Sequence, residues 1–302
     1  MTAAKTVIVI AGPTAVGKTA VAIAVAQHFK TEIISADSRQ CYKELSIGVA
    51  RPSPDELATV RHHFIASHSI NEKITAAYFE QYALEKAHGL LKKRDVVVLT
   101  GGTGLYIKAF CEGLDAIPEV PETIHRQVAA DYKQNGLQWL QQQVQRLDPL
   151  YFTTGETNNP HRLMRALEVF RATGVSIQQF KSGRKAERDF SIKKIALQLP
   201  KEQLHQNIEN RVDAMVATGL IEEVKALQEY QNHNALQTVG YKEIFANLKG
   251  AISREEAIAE IKKNTRQYAK RQLTWFRKDA AFTWLPPQPE AVLSYLDPSV
   301  DR

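Results

Sequence analysis

The chain has 302 residues, 44% of them hydrophobic and 24% charged, which excludes a disordered chain and allows a sizeable core without staples. Lys and Arg total 39 against 33 Asp and Glu, a net charge of +6, which admits a polyanionic partner without requiring one. Two cysteines, Cys41 and Cys111, exclude a disulfide scaffold and a four-cysteine zinc site, and the longest apolar run, residues 20–26, excludes a bilayer span.

The first hundred residues alternate between strand and helix patterns. Short β-rich apolar runs fall at 7–10, 32–35, 63–65 and 96–99. Between them lie helical stretches at 18–29, apolar on nearly every side, and at 75–93, polar on one face. This alternation predicts a parallel sheet covered on both faces. No secretory signal pattern precedes the strand at 6–12, so a cytoplasmic protein with reduced, partly buried thiols is expected.

The texture then changes. Residues 115–121, with Pro118 and Pro121, read as a linker, and 122–190 read as helices rich in Gln and Arg with a loop at 181–189. A strand pattern returns at 195–199. The organisation expected is therefore a discontinuous α/β core, 1–114 with 194–302, carrying an all-helical insertion at 115–193. Further helices are predicted at 203–218, closed by Gly219, and at 254–278. After Phe282 the prolines predict a surface loop.

The sharpest local signal is GPTAVGKT at 12–19, which matches G-x-x-x-x-G-K-[ST] between a strand and a helix. Gly12 and Gly17 let backbone N–H groups turn inward around an anion, and the helix N-terminus adds partial positive charge. Lys18 reaches phosphate oxygens and Thr19 is placed for Mg²⁺. The strand at 96–99 runs into Thr100-Gly101-Gly102-Thr103-Gly104, where no carboxylate stands to help a metal. This second turn reads either as a further phosphate contact or as a tight turn with Thr103 as a helix cap.

Asp37 closes the second strand. In a doubly wound sheet it projects toward the same crevice as the 12–19 loop, as a general base, a metal partner or a helix cap. In the helix at 158–174, His161, Arg162 and Arg165 cluster beside a core stripe of Leu163, Leu167 and Phe170. From Lys262 to Lys278 there are seven basic residues and no acidic ones, interleaved with Gln267, Gln272, Trp275 and Phe276. That mixture suits a nucleic acid surface, and equally a basic solvated helix with Trp275 packed inward.

Taken together, GPTAVGKT, IISADSRQCY, GGTGLY, NPHRLMRALEV, NRVDAMVATGLIEEV, QTVGYKE and TRQYAKRQLTWFRKD resemble, in order, the motifs of the bacterial tRNA dimethylallyltransferase family from about residue 8 to 280. The resemblance implies a P-loop-kinase-like α/β core with a helical insertion that contacts the tRNA anticodon stem-loop. It implies transfer of a dimethylallyl group from dimethylallyl diphosphate to N6 of the adenine 3′-adjacent to the anticodon, in tRNAs reading codons that begin with U, with Mg²⁺ as cofactor. It places the donor diphosphate on Gly12, Pro13, Thr14, Ala15, Val16, Gly17, Lys18 and Thr19, with Thr19 on the metal and Arg211 as a further cation. Asp37 is implied as the base. Contacts to tRNA are implied for Asp37, Ser38, Arg39, Gln40, Thr103, His125, His161, Arg162, Leu163, Met164, Arg165, Gln267 and Arg271. Val16 stands where many relatives have Ser, and Val49 and Arg51 replace the usual Thr and Lys. A monomer with no obligate protein partner and no membrane contact is expected. The competing expectation is a small-molecule kinase of the nucleoside type, since a P-loop and an acid after the second strand serve that chemistry too.

Overall fold

The computed structural model describes residues 5–297. Backbone packing divides the chain into two compact units, one formed by the residues up to Glu112 and from Glu187 onward, the other by Gly113–Ala186.

The larger unit is built on six parallel strands in the order β3-β2-β4-β1-β5-β6. These are β1 (Thr6–Ala11), β2 (Ile33–Ser35), β3 (His62–His63), β4 (Val96–Gly101), β5 (Ser191–Leu197) and β6 (Phe282–Leu285). Both faces are buried, and the period-two pattern of β1 serves both. Val7, Val9 and Ala11 join one apolar cluster, Ile8 and Ile10 the other. The first cluster is closed by α3 (Ala76–Leu91), α4 (Gly104–Glu112), α9 (Leu220–Ala226), α10 (Tyr241–Leu248) and the start of α11 (Arg254–Phe276). The second is closed by α1 (Lys18–His28), α8 (Lys201–Ala217) and α12 (Pro289–Leu296). A short helix, α2 (Pro54–Thr59), opens on a capping box made by Ser53 and Glu56. Neighbouring strands β1 and β4 thus send their chains to opposite faces, α1 to one and α4 to the other. That reversal opens a crevice at their carboxyl ends.

The smaller unit is helical, as its composition predicts. It holds α5 (Glu122–Leu147), α6 (Pro149–Thr154) and α7 (Pro160–Thr173) around Val128, Leu140, Val144, Tyr151, Leu163 and Leu167. Gly136, with φ 75°, kinks α5 into two segments. Asn159 caps α7 through its side-chain oxygen, Pro160 opens it and Gly174 ends it in the left-handed region.

Three details depart from the sequence reading. β3 sits at His62–His63 rather than 63–65, because Phe64 and Ala66 adopt φ of 65° and 46° and end the extended run. β5 starts at Ser191, before the boundary at 194, since Ser191, Ile192 and Lys193 pair with Thr6, Val7 and Ile8. Its first residues are half-exposed, so the apolar run begins late. The segment after Phe282 is not a surface loop. Phe282–Leu285 pairs with β5, and Pro289 occupies the first turn of α12, which buries Val292 and Leu296. The rest of that expected loop, residues 298–302, lies outside the described residues.

Candidate diphosphate and transfer site

The carboxyl ends of β1, β2 and β4 surround a cavity of about 880 Å³. Thr14, Ala15, Gly17, Lys18 and Thr19 line it from the first loop, Asp37, Ser38, Arg39 and Gln40 from the turn after β2, and Gly101 and Gly102 from the turn after β4. Arg211 enters from α8, and Tyr268, Arg271 and Gln272 from α11. The loop and acid read from sequence therefore meet in one place.

The loop backbone is curled as an anion cradle requires. Gly12 and Gly17 have φ of 152° and 99°, and Ala15, at φ 63°, holds the left-handed region without being glycine. Val16 is buried and its side chain joins the second apolar cluster. The Lys18 ammonium donates to the Pro13 carbonyl at 2.6 Å. Arg211 donates to the Thr14 hydroxyl at 3.3 Å, and Asn207, one turn earlier on α8, donates to the Ala15 carbonyl at 3.2 Å. Burial, followed by the Arg211 charge, pushes Lys18 down to about 7, partly opposed by Asp37. Burial also lowers the Arg211 guanidinium from its ordinary value. Two crowded cations at a curled loop favour a multiply charged anion.

Asp37 spends one oxygen on its own turn. Its Oδ1 accepts the Arg39 N–H at 2.8 Å and the Gln40 N–H at 3.2 Å. The turn does not use Oδ2. Thr103 stands at the cap position of α4, its carbonyl accepting the Tyr106 and Ile107 N–H groups at 3.0 and 3.1 Å. Its hydroxyl accepts the Ser38 N–H at 3.0 Å and its N–H donates to the Ala36 carbonyl at 3.2 Å, so it laces the turn after β4 to the turn after β2. Gln40 in turn donates to the carbonyls of Val49 and Ala50, which line the cavity wall. Arg51 lines the cavity with its buried Nε without a protein partner. Its Nη2 is consumed by the carbonyls of Tyr42, Lys43 and Leu45. His62 also lines the cavity. Its Nδ1 faces the Val60 carbonyl at 2.7 Å, so the buried Nε2 is left as an acceptor with no protein partner.

The basic run on α11 divides by face. Lys262 pairs with Asp213, Lys263 with Glu260 and Arg266 with Glu209, and Arg277 sits over the Trp284 ring. Arg271 stacks on Tyr268 at 5.8 Å and lines the cavity, while Gln267 is exposed outside it. Trp275 is neither fully inward nor free. It is 36% exposed, yet its ring covers Gly104. The residues that sequence reasoning missed are Tyr268 as a lining residue and Gln272 as a brace. With Ile261 and Thr265 they recur at spacings of four, three and four on the cavity face of α11, a pattern that marks a shared face and not the partners of Gln272. Burial and the Asp37 charge push the Tyr268 phenol up to about 12, so it stays a neutral hydrogen-bonding group.

In the helical unit, Leu163 is fully buried and belongs to the core, so its side chain is not a contact surface. His161 is exposed, Arg162 pairs with Glu156, and Met164 packs against the core edge. Glu168, 4% exposed, accepts from His125 at 2.7 Å and faces Arg165 at 3.7 Å. Both cysteines are buried and free, and burial pushes both thiols up to about 12.

This parallel sheet, with its curled glycine loop opening a helix beside an acid, defines a P-loop-like α/β protein. The particular family follows from comparison with known proteins. The family model described as IPP transferase matches residues 40–279. The tRNA dimethylallyltransferase of Christiangramia forsetii is 49% identical over 275 residues, covering 91% of each chain, and that of Cytophaga hutchinsonii is 45% identical over 283 residues. The solved tRNA isopentenylpyrophosphate transferase of Bacillus halodurans superposes with a TM-score of 0.68 at 34% identity, covering 93% of this chain and 89% of that one. The tRNA Δ(2)-isopentenylpyrophosphate transferase of Staphylococcus epidermidis gives 0.70 at 30% identity and 98% of each chain. The chain belongs to the IPP transferase family.

Proposed function

We propose that this protein is a tRNA dimethylallyltransferase that moves the dimethylallyl group of dimethylallyl diphosphate to N6 of the adenine 3′-adjacent to the anticodon, in tRNAs reading codons that begin with U. The observation that carries the reading is the shared cavity, with Lys18 and Arg211 at one wall and Asp37 at another. Family membership and the names of the relatives support prenyl transfer over a small-molecule kinase.

The chemistry follows from the lining. The diphosphate lies on the N–H groups of the 12–19 loop between Lys18 and Arg211. As the C1–O bond breaks, its electron pair and negative charge pass to the diphosphate, where these cations stabilise it. The adenine amine is a weak nucleophile because its lone pair is conjugated with the ring. Asp37 accepts an amine proton on Oδ2 while the N6–C1 bond forms, and the cavity aligns the two partners. The adenine must leave its stack to enter the cavity. Mg²⁺ fits the donor set. Among the described residues no cluster of three or more His, Cys, Asp or Glu forms a metal cage. The Thr19 hydroxyl in the cavity instead matches a hard cation that would take most of its ligands from substrate phosphates and water. When bound it neutralises charge on the leaving group.

Contacts to tRNA are assigned to His125, His161, Met164 and Arg165 on the helical unit and, separately, to Gln267 and Arg271 on the α/β unit. The protein acts in the cytoplasm as a monomer. Among the described residues no helix is long and apolar enough to cross a membrane. The test is incubation with labelled dimethylallyl diphosphate, Mg²⁺ and unmodified tRNA. Label should appear on adenine N6. Phosphate transfer from ATP without prenyl label would restore the kinase reading.

A further inference from the structure

Gln272 is a buried amide in a helix whose neighbouring Arg271 is exposed. It is 6% exposed and both its ends are engaged. Its Oε1 accepts the Thr14 N–H at 2.8 Å, and its Nε2 donates to the Gly102 carbonyl at 2.9 Å. One side chain from α11 thereby ties the loop after β1 to the turn after β4. A donor on one side and an acceptor on the other also fix which way the amide points.

Two consequences are visible around it. Thr14 is gripped twice, by Gln272 at its N–H and by Arg211 at its hydroxyl. The glycines of the second turn are small because α11 lies directly on them. A Cβ at Gly102 would stand 2.2 Å from Gln272 Nε2, and one at Gly104 2.2 Å from the Trp275 ring. A methyl group at Gly102 would push the Gln272 amide out of place, and one at Gly104 would displace the Trp275 ring.

We infer that Gln272 is a positioning residue of the transfer site. It holds Thr14, and through Thr14 the Arg211 guanidinium, at the spacing the donor diphosphate needs. It also makes α11 the strut between the two glycine turns. This rests on the proposed function for the identity of the donor. A side chain that only filled space would be replaced without loss by an apolar group of the same length. Removing this amide instead leaves the Thr14 N–H and the Gly102 carbonyl unpaired and frees the loop to shift.

Gln272→Met tests the inference, with Gln272→Glu beside it. The carboxylate keeps an acceptor for Thr14, loses the donor to Gly102 and adds negative charge near the diphosphate. The measurements are the Kd for inorganic diphosphate by calorimetry, KM and kcat for dimethylallyl diphosphate, and KM for tRNA. For Gln272→Met the diphosphate Kd and donor KM should both rise at least tenfold, with the tRNA KM within twofold of wild type. Gln272→Glu should bind diphosphate more weakly still. If Gln272→Met does not fold, Gly102→Ala, which pushes Nε2 aside with the amide retained, should show the same loss of diphosphate affinity. A folded Gln272→Met, or failing that a folded Gly102→Ala, with diphosphate Kd and donor KM within twofold of wild type overturns the inference. Wild-type protein that binds diphosphate with the expected loss in the variants, yet transfers no prenyl group to tRNA, leaves the positioning role standing and overturns the reaction assignment.

Discussion

The two units of this molecule handle charge in opposite ways. In the α/β unit, Lys18 and Arg211 crowd one cavity, and the cost of burying them appears as lowered proton affinity at both. In the helical unit the basic groups stand at the surface, Arg162 beside the exposed Glu156, and Arg165 with His125 over the buried Glu168. The first arrangement stores electrostatic potential for a small, highly charged ligand. The second spreads weak contacts over a surface, where each exposed pair is worth little. On the proposed function, chemistry and recognition sit on different physical footings, and each can be perturbed separately.

The largest effect should come from Asp37. Asp37→Ala should lower single-turnover transfer by roughly 10²–10⁴-fold, the usual contribution of a placed base. Asp37→Asn should fall as far while keeping an Oδ1 acceptor for the turn, so wild-type turnover in Asp37→Asn would show that the carboxylate serves only as a turn cap. In the helical unit, Leu163→Ala should destabilise by about 2–5 kcal/mol, as a fully buried leucine does. Denaturant unfolding followed by fluorescence checks this. A loss below about 1 kcal/mol, with tRNA affinity reduced instead, would return Leu163 to the contact surface.

A pH titration sharpens the contrast further. Lys18 in the free cavity loses its proton near pH 7, and a bound diphosphate favours the ammonium form. Donor binding therefore takes up a proton above that pH. Affinity should be steady below about pH 7 and weaken by up to about tenfold per unit above it. Lys18→Met should bind more weakly and lose that slope. An unchanged slope in Lys18→Met would assign the titration to another group. The smallest effect is expected on the outer surface. Arg165→Ala and Arg271→Ala should each reduce the slope of log affinity against log salt by about one. The ion-paired Lys262→Ala should change it less, and equal changes would erase the division of α11 by face.

What the sequence disclosed followed the range of the forces involved. The 12–19 loop and Asp37 were legible because their geometry is set by neighbours a few residues away. The caps of α7, Asn159 and Gly174, were legible for the same reason. Gln272 was not, since its partners lie 258 and 170 residues away. The acids that neutralise the basic run, Asp213 and Glu209, sit on α8, so a stretch without a single acid still meets counter-charges once folded. The prolines after Phe282 suggested a loop, whereas Pro286 and Pro287 merely separate a strand from a helix that Pro289 helps to start. Leu163 shows the limit of motif reasoning. The helical stripe placed it in the core, the family motif placed it among contacts, and packing decided for the stripe.

The late pairing of β6 and α12 bears on how the protein is made. The phosphate loop lies between β1 and α1, ahead of the elements that wall it in along the chain. β1 finds its neighbours only when β4 and β5 arrive, and α1 packs against α12, more than 260 residues later in the chain. During synthesis the nascent loop therefore stands without its walls, and Arg211, Tyr268 and Gln272 reach it one after another. A ribosome stalled before residue 272 would display a protein with its motif complete and its anion site unbraced. Order of manufacture and order of assembly run in opposite directions here: the loop is translated well before the residues that enclose it.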